Sequence, residues 1–410
     1  MPKVVVPAHI VEVVRRIQSQ GYSCYVVGGP VRDSILGRKV KDWDLTTSAT
    51  PPQLAHIFPR HRGQTRYGTT LVGAGTETVE VTTFRTEAEY SDHRRPDVVN
   101  FTSDLAVDLS RRDFTMNAIA YDPVSGKTTD PFGGLSDITA RRIRAVGRAS
   151  ERFEEDALRM LRAVRFAGQL GFGIERDTFD AIKRAAPTTR YLALERIGGE
   201  LTKMFMAPYA AIGFTAMLDA DLFEPALHIS DSTNLRHGIR VIAAAHTMDA
   251  VDYAAALLHH VDRLSAQGIY EMLLSVGIGA DAADAVGRRA GIALGELPRD
   301  EVARMRMVGR HGPDTFFAGL SLRRACSIDR RESTADVDAL VTHIRALLKS
   351  GCPFTLRQLA INGDDLATIG IKAGPKVGRI LETLLDEVIV SKTPNERRAL
   401  LDRARLINAD

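Results

Sequence analysis

The fold of this chain is decided by the stretch Gly28-Gly29-Pro30-Val31-Arg32-Asp33, which is followed after a short spacer by Asp42-Trp43-Asp44. The apolar run Tyr25-Val26-Val27 before the glycines is typical of a β-strand, and Pro30 suits the first turn of a helix. Glycine lets the backbone approach a ligand closely, and the free N–H groups at the start of a helix attract anions. The stretch therefore predicts a strand, a Gly-Gly turn and a helix whose first turn can hold phosphates.

Asp42 and Asp44 are candidate ligands for a divalent metal ion that would bind together with those phosphates. In an extended segment the side chains alternate, so both carboxylates project to one side of the chain and Trp43 projects to the other. Magnesium prefers oxygen ligands of this kind and often shares them with substrate phosphates. Taken singly, a Gly-Gly pair is more often an ordinary turn, and Asp-x-Asp more often a solvated loop or a helix cap. Together at this spacing they indicate phosphoryl or nucleotidyl transfer.

The composition is that of an ordinary globular protein, and at 410 residues the chain should split into two to four domains. Its 54 Lys and Arg nearly balance its 51 Asp and Glu, and the net charge of +3 excludes a strong polycation. Basic charge is concentrated instead in one cluster of arginines: Arg141, Arg142, Arg144, Arg148, Arg152, Arg159, Arg162 and Arg165. Such a cluster suits a polyanionic substrate, although a solvated helix face paired with nearby glutamates is the alternative.

The cysteines and the apolar runs indicate the cellular compartment in which the protein works. Cys24, Cys326 and Cys352 are widely separated and odd in number, which is typical of a reduced, cytosolic protein. The first ten residues lack a signal-peptide pattern, and no apolar run approaches membrane-spanning length. We therefore expect a cytoplasmic protein with no membrane partner.

Hydrophobic periodicity divides the chain into an N-terminal α/β part and a long helical remainder. Residues 69–72 and 78–84 flank a glycine-rich turn and predict a hairpin in which Glu80 faces opposite to Val79 and Val81. Glu80 is therefore a candidate third carboxylate, the alternative being an ordinary exposed strand residue. Beyond residue 150, apolar residues recur at helical spacing. Near the C-terminus, helices are predicted at 337–348, 356–362, 364–369 and 375–389.

Three further motifs follow downstream: Arg111-Arg112-Asp113-Phe114-Thr115-Met116-Asn117-Ala118, Asp130-Pro131-Phe132-Gly133-Gly134 and Glu155-Asp156-Ala157-Leu158-Arg159. With Gly-Gly-x-Val-Arg-Asp and Asp-x-Asp, this ordered series resembles the class II tRNA nucleotidyltransferases. These are the CCA-adding enzymes and the related poly(A) polymerases of the polymerase-β-like superfamily. The resemblance is strong over the N-terminal half and extends more loosely to 359–375.

The resemblance implies an α+β fold: a polymerase-β-like nucleotidyltransferase head with a small mixed sheet, followed by an all-α neck, body and tail. The corresponding domains are the head at 1–140, the neck at 141–205, the body at 206–300 and the tail at 301–410. The implied activity is template-independent addition of CCA, from CTP and ATP, to the 3′ end of tRNA. An A-only enzyme with a separate CC-adding partner and a poly(A) polymerase are the alternatives.

The resemblance also implies roles for single residues. Asp42 and Asp44 would bind the catalytic Mg²⁺, with Glu80 as the third acidic group. Nucleotide-binding roles fall to Gly29, Arg32, Arg112, Asp156, Arg159, Arg162 and Arg165. Asp113 and Asn117 would orient the site from behind.

Asp156 and Arg159 are the residues expected to select the base. Three residues apart on a predicted helix, they would be neighbours on its surface. A carboxylate accepts a proton from the amino group of C or A, and a guanidinium donates to ring acceptors. The alternative is a plain intrahelical ion pair. Arg162 and Arg165 continue the spacing but drift around the helix, so we assign them to phosphate and neighbouring contacts.

Residues 84–97 are polar and lack periodicity, which predicts a mobile loop in which His93 is solvated. In the family, a flexible loop at this place is associated with the admission of ATP, so its presence favours incorporation of A. The C-terminal residues 402–410 lack the basic extension usual in poly(A) polymerases. An RNA-binding protein with an inactive head would be expected to lose a carboxylate, yet Asp42, Asp44 and Glu80 are all present.

A group of histidines lies in the helical middle: His237, His246, His259 and His260, together with Asp262. Some relatives carry a metal-dependent phosphohydrolase domain with a His-Asp pair in this region. Here the apolar run 254–261 has His259-His260 where an aspartate would be needed. The pattern therefore predicts packing or surface histidines rather than metal chemistry.

Overall fold

The structure is a computed structural model that describes residues 4–59, 63–64, 68–75, 77–88, 98–244, 249–259, 261 and 265–409. The chain divides into two compact units, Met1–Ser230 and Asp231–Asp410. A mixed sheet near the N-terminus followed by helices confirms the predicted α+β class. The finer division into head, neck, body and tail stays a prediction.

The strands all lie in the first unit: β1 (Cys24–Val27), β2 (Asp44–Thr47), β3 (Gly63–Gln64), β4 (Thr69–Ala74), β5 (Glu77–Thr83), β6 (Arg85–Ala88), β7 (Val98–Phe101), β8 (Ala120–Tyr121), β9 (Thr128–Thr129), β10 (Arg142–Ile143) and β11 (Gly173–Ile174), as far as the described residues go. Seven of them form one sheet in the order β3-β4-β5-β2-β1-β8-β9. In this sheet β2 and β5 run parallel, and the other neighbouring strands are antiparallel.

The helices of the first unit are α1 (Ala8–Gln18), α2 (Gly29–Ile35), α3 (Pro51–Ile57), α4 (Leu105–Ser110), α5 (Gly134–Thr139), α6 (Ala149–Glu155), α7 (Leu158–Leu170), α8 (Arg176–Ala185), α9 (Leu194–Phe205), α10 (Ala210–Asp219) and α11 (Phe223–Leu227). The predicted strand, turn and helix around the two glycines are confirmed. Strand β1 ends at Val27, and Gly28 adopts a φ of 79°, which favours glycine. Helix α2 begins at Gly29 with Pro30 in its first turn.

The predicted hairpin is formed by β4 and β5. Val79 and Val81 are buried, whereas Glu80 between them is exposed, as the alternation predicted. In the parallel pairing of β2 with β5, Asp44 is the register partner of Glu80. The sheet thereby places two of the predicted acidic residues side by side.

The predicted loop at 84–97 is wrong for its first part. Residues 85–88 form β6, which pairs with β7 so that Thr86 lies opposite Asn100. The reason is that β7 supplies the backbone partners, which a search for local periodicity does not reveal. Residues 89–97, including His93, lie outside the described residues. The neck also contains a short parallel pairing of β10 with β11, which the all-α prediction missed.

Helices α7 and α10 pack closely through glycines. A methyl group on Gly213 would lie 2.8 Å from the carbonyl oxygen of Val164 and 3.2 Å from the Cα of Gly168. The absence of a side chain at Gly213 thus allows backbone to meet backbone, as small residues do wherever helices approach closely. Because α7 carries three of the predicted site arginines, this contact helps to set their position.

The second unit consists of helices: α12 (Ser232–Ala244), α13 (Ala250–Leu258), α14 (Ala266–Ser275), α15 (Ala280–Leu294), α16 (Glu301–His311), α17 (Pro313–Arg330), α18 (Ala335–Lys349), α19 (Gly363–Thr368), α20 (Pro375–Ile389) and α21 (Arg397–Ala409), for the residues described. One of its cores is built around Phe316, Leu320, Ile344, Leu384 and Leu400. Within the described part of the chain, no helix combines the length and apolar character needed to cross a membrane.

Three of the four predicted C-terminal helices are confirmed as α18, α19 and α20. The helix predicted at 356–362 is wrong, because only Leu356–Gln358 forms a short 3₁₀ turn. Leu359 is extended, and the side chain of Asn362 caps the start of α19. Apolar spacing alone predicted a helix through residue 362. Because Asn362 instead caps the next helix, its backbone is not helical and the predicted helix does not form.

The glycine contact between α7 and α10 can be tested by a matched pair of variants. Gly213→Ala should lower the free energy of unfolding by about 1–3 kcal/mol, since the new methyl group overlaps backbone. Gly199→Ala on α9 is the control: its position is exposed and no atom lies within 4 Å of the added carbon. That variant should gain up to about 1 kcal/mol from helix propensity. Urea unfolding followed by circular dichroism measures both, and equal stabilities would contradict the packing argument.

Candidate active site

Four carboxylates of the first unit border one cavity: Glu77 and the three predicted acidic residues. Asp42, Asp44 and Glu80 line a space of about 600 Å³ together with Trp43. Asp44 begins β2, and Glu80 is its partner on β5. Asp42 precedes the strand, so strand alternation accounts for the placement of Asp44 but not for that of Asp42. The structure nevertheless brings all three predicted acidic residues to the same cavity.

The electrostatics of this cavity suit a cation. The pKa of Asp44 is raised to about 6, mainly because of burial; the positive charge of Arg112 opposes the shift, and the negative charges of Glu80 and Asp42 add to it. Neighbouring carboxylates carry excess negative charge that a divalent cation relieves. Carboxylate oxygens are also the donors that Mg²⁺ prefers. The donor set therefore fits Mg²⁺.

Arg112 lies between the acidic cavity and the glycine turn. Its Nη1 is 3.2 Å from the position that a Cβ would take on Gly28, directly before Gly29 opens helix α2. Its Nη2 is 3.5 Å from Oδ2 of Asp108, and its Nε has no hydrogen-bond partner among the described residues. A substituent on Gly28 would intrude on this space. Gly28, Gly29 and Arg112 thus leave room and positive charge for an anion next to Asp44.

Asp108 contacts Arg111 and Arg112 and was not among the residues predicted from the sequence. Its buried carboxylate accepts hydrogen bonds from Nη2 of Arg111 at 2.8 Å and from Oγ1 of Thr46 at 3.0 Å. Burial alone would raise its pKa, but the charges of Arg111 and Arg112 hold the pKa below its ordinary value. The sequence contained a local indication, because Asp108 precedes the two arginines by three and four residues at the end of α4.

Arg32 is buried, and its guanidinium is held by neighbouring side chains. Nη1 donates to Oδ1 of Asn117 at 2.7 Å, and Nε donates to Oδ1 of Asp33 at 2.9 Å. The Cζ atom lies 5.0 Å from the ring centre of Phe166 on α7. Arg32 therefore connects α2 to the neck helix as well as providing positive charge behind the glycine turn.

Asp113 is the centre of the next group of contacts. Its Oδ2 accepts from Nε and Nη2 of Arg162 at 2.9 and 2.6 Å. Its Oδ1 accepts from Nδ2 of Asn117 at 3.0 Å and from the backbone N–H of Phe114 at 2.8 Å. Although burial opposes ionisation, Arg162 and these hydrogen bonds lower the pKa of Asp113 to about 2. This geometry supports the orienting role predicted for Asp113 and Asn117.

Asp156 does not share a helix with Arg159, so that part of the sequence prediction is wrong. Asp156 ends α6 in an extended conformation (φ −147°, ψ 105°), and α7 begins at Leu158. Oδ1 of Asp156 accepts from the backbone N–H of Leu158 at 3.0 Å, because short acidic side chains readily cap a helix start. Oδ2 accepts from Nη2 of Arg196 on α9 at 2.8 Å. No local pattern could have identified Arg196, which lies 40 residues further on.

The remaining arginines of α7 differ in their surroundings. Nη1 of Arg159 donates to Oε2 of Glu155 at 2.5 Å, and its Nη2 donates to the backbone oxygen of Arg111 at 3.0 Å. The side chain of Arg165 is 6% exposed and forms an ion pair with Glu200. Arg165 therefore lies in the interior, where it stabilises the neck, rather than on a surface that a nucleotide could reach directly.

Comparison with known proteins connects this geometry to a family. Residues 24–144 match the family model "Poly A polymerase head domain", and residues 171–231 match "Probable RNA and SrmB- binding site of polymerase A". Residues 319–404 match the model for tRNA nucleotidyltransferase domain 2. The first match contains the acidic cavity, the glycine turn and Arg112.

Several proteins that match nearly the whole chain share one name. The chain is 34% identical over 405 residues to the CCA-adding enzyme of Lactiplantibacillus plantarum, covering 96% of this chain and 95% of that protein. It is similar to the crystal structure of the Bacillus stearothermophilus CCA-adding enzyme in complex with CTP, with a TM-score of 0.78, 31% identity and coverage of 98% and 97%. The Thermotoga maritima CCA-adding enzyme complexed with tRNA, at 20% identity and a TM-score of 0.68, shares the fold over 99% of this chain and 97% of that one.

The lowered pKa of Asp113 predicts a specific dependence of stability on pH. Its folded pKa of about 2 lies below its ordinary value of 3.8, so its contribution to stability is complete above that value and is lost as the pH falls towards 2. Asp113→Asn should destabilise the protein at pH 7 by about 3 kcal/mol, because it leaves Arg162 without its charged partner.

Unfolding free energies of both proteins, measured at intervals from pH 7 to acid pH, test this. The gap between wild type and Asp113→Asn should stay constant down to about pH 4 and then narrow. The control is Asp180→Asn, which removes an exposed ion pair with Arg176 and should change stability by less than about 0.5 kcal/mol. A gap that does not change with pH would contradict the assignment.

Proposed function

Because the chain belongs to the family of CCA-adding enzymes, we propose that it adds the sequence CCA to the 3′ end of tRNA from CTP and ATP, without a nucleic-acid template. The observation that carries the proposal is the pairing of Asp44 with Glu80 on adjacent strands, next to Arg112 and the glycine turn. Carboxylates that suit a cation, next to glycines and an arginine that suit an anion, support the proposal, because nucleotidyl transfer needs both.

The reaction joins the tRNA to a nucleotide by displacement at phosphorus. The 3′-hydroxyl oxygen of the tRNA forms a bond to the α-phosphorus, the bond from that phosphorus to the bridging oxygen breaks, and pyrophosphate leaves. The hydroxyl proton is lost to solvent. Arg112 and the backbone at Gly28 and Gly29 bind the triphosphate in this proposal. Arg32 adds positive charge behind the turn.

We propose that Asp42 and Asp44 hold Mg²⁺, with Glu80 as the adjacent acidic group. Bound Mg²⁺ supplies charge neutralisation on the phosphates and favours ionisation of the attacking hydroxyl. The fit rests on the carboxylate donors and on the burial that, together with the negative charges of Glu80 and Asp42, raises the pKa of Asp44. Glu80 maintains negative charge next to Asp44 through the register of the two strands.

Asp156 and Arg159 are proposed to select the base. The carboxylate of Asp156 can accept a hydrogen bond from the amino group of C or A, while Arg159 donates to a ring acceptor. Arg196 holds Asp156, and Glu155 holds Arg159, so both groups are fixed before a nucleotide arrives. Arg162 contributes positive charge next to them and is oriented by Asp113. Arg165 acts from the interior as a positioning residue.

In this proposal each of the four predicted domains has its own function. The head at 1–140 holds the chemistry and the neck at 141–205 selects the nucleotide. The body at 206–300 and the tail at 301–410 bind the tRNA. The enzyme works in the cytoplasm, which agrees with three cysteines that are all free thiols.

A panel of tRNA substrates tests the function. Purified protein should add two cytidines to tRNA ending at the discriminator base when CTP is the only nucleotide, and one adenosine to tRNA ending in CC when ATP is the only nucleotide. It should add nothing to an unrelated RNA of the same length. Incorporation of A alone, onto CC-ended tRNA only, would refute full CCA addition, and long A tails on any RNA would indicate a poly(A) polymerase.

Variants of the acidic cavity test the metal assignment on the same panel. Asp44→Asn and Asp42→Asn should each lower the rate of both cytidine and adenosine addition by about two orders of magnitude or more, with tRNA affinity retained. Glu80→Gln should slow both steps to a lesser degree. The matched control is Asp180→Asn on α8, an exposed carboxylate outside the cavity that pairs with Arg176. Full activity of Asp44→Asn would contradict the proposed role.

Asp156→Asn tests base selection with an isosteric change. Its Oδ1 can still cap Leu158, but the amide can also donate to the O4 acceptor that uracil carries in place of the amino group of cytosine. The preference for CTP over UTP, measured as the ratio of kcat/KM values, should therefore fall by about tenfold to a hundredfold. Glu151→Gln, an exposed change on α6, is the control. A purely structural defect would lower both values together and leave the ratio unchanged.

A further inference from the structure

Three buried side chains from separate helices meet inside the second unit. His237 lies on α12, His259 directly follows α13, and Cys326 lies on α17. They are 5%, 2% and 6% exposed, and a ring nitrogen of each histidine and the Sγ atom all lie within 4.8 Å of one another. In the described part of the chain, this is the one group of three His, Cys, Asp or Glu side chains that converges so closely.

The outer contacts of the two histidines orient them towards the cysteine. Nδ1 of His259 is 2.7 Å from the backbone oxygen of Ala256, which can only accept, so Nδ1 carries the proton and the neutral ring presents a lone pair at Nε2. That Nε2 atom is 2.9 Å from Sγ of Cys326. Nδ1 of His237 is 2.6 Å from Oδ2 of Asp329. A carboxylate or a backbone carbonyl on the second nitrogen is the usual outer contact of a metal-binding histidine.

The donor set points to zinc. Two imidazoles and a thiolate are softer ligands than carboxylates and suit Zn²⁺ rather than Mg²⁺. Zinc bond lengths imply separations of about 3.3–3.6 Å between tetrahedral ligand atoms. The observed separations, from 2.9 Å for His259 and Cys326 up to the 4.8 Å limit, bracket these values. Side-chain shifts of about 1 Å or less would therefore bring the three ligand atoms to tetrahedral separations, with a water molecule in the fourth position.

The charges around the cluster also suit a divalent cation. A thiolate at Cys326 and the carboxylate of Asp329 each contribute one negative charge, and Asp329 is shared with the guanidinium of Arg240. The net charge of such a site with Zn²⁺ is small, which favours burial. Asp329 and Cys326 both belong to α17, three residues apart, so one helix provides a ligand and the outer partner of another ligand.

We propose that His237, His259 and Cys326 form a Zn²⁺ site with three protein ligands that links α12, α13 and α17 to one another. This differs from what the sequence predicted, which was packing or surface roles for these histidines. Cys326 follows His259 by 67 residues, so no motif spacing linked them. Of the other residues considered with them, His246, His260 and Asp262 lie outside the described residues. The site shares no residue with the candidate active site and would persist if the proposed function failed.

The test uses full-length protein without a histidine tag. Chain stripped of metal with a chelator, loaded with Zn²⁺ and dialysed should retain one zinc per chain by mass spectrometry. Loading with Co²⁺ should produce a thiolate-to-cobalt charge-transfer band. Cys326→Ser should abolish the band and the retained zinc. The matched control Cys352→Ser changes a partly buried thiol outside the cluster and should retain both. Mg²⁺ at excess should not displace the zinc.

A second variant keeps all three ligands. Asp329→Asn should weaken zinc affinity by about tenfold to a hundredfold, because it alters only the outer partner of His237. Zinc should raise the thermal midpoint of wild type and Cys352→Ser but not that of Cys326→Ser. Wild-type protein that retains no zinc, a cobalt complex without a thiolate band, or equal zinc retention by Cys326→Ser would each overturn the proposal, leaving a simple hydrogen bond between Cys326 and His259.

Discussion

The active region of the first unit depends on one buried carboxylate, that of Asp113. A buried negative charge must be met by positive charge and hydrogen bonds, and here Arg162 and Asn117 meet it. Asn117 in turn orients Arg32 of helix α2. The helix that follows the glycine turn and the neck helix α7 are thereby connected through a single side chain. The position of the glycine turn relative to α7 follows from this connection.

A second constraint is the parallel pairing of β2 with β5. Its register sets Asp44 beside Glu80. Burial of the Asp44 carboxylate, together with the negative charges of Glu80 and Asp42, raises the pKa of Asp44. Negative charges held close together in this way favour the binding of a cation. The cluster of His237, His259 and Cys326 differs in kind, because it brings two imidazoles and a thiol together and Cys326 lies within hydrogen-bond distance of His259. The carboxylate cavity thus favours a cation for electrostatic reasons, whereas the cluster is suited to one by its geometry.

Much of the fold could be predicted because its determinants are local. The strand, turn and helix around Gly28 follow from an apolar run, a glycine with positive φ and a proline in the first helical turn. The β4–β5 hairpin and the outward direction of Glu80 follow from alternation of apolar and polar residues. The errors arose where partners were distant or where a cap ended a helix. Residues 85–88 became a strand because of β7, and Asp156 capped α7 instead of joining it.

The sequence by itself determined the elements, the order of the motifs and the identity of the charged residues available to a nucleotide. Tertiary packing determines which of those charged side chains face the site and which are neutralised by an ion pair. Arg165 is paired with Glu200 in the interior, and Asp156 is held by Arg196, whereas Arg112 faces the glycine turn. The physical reason is that helix and strand formation depend on neighbours a few residues away. Ion pairs and metal sites depend on which surfaces pack together, and packing joins residues that are far apart in the chain.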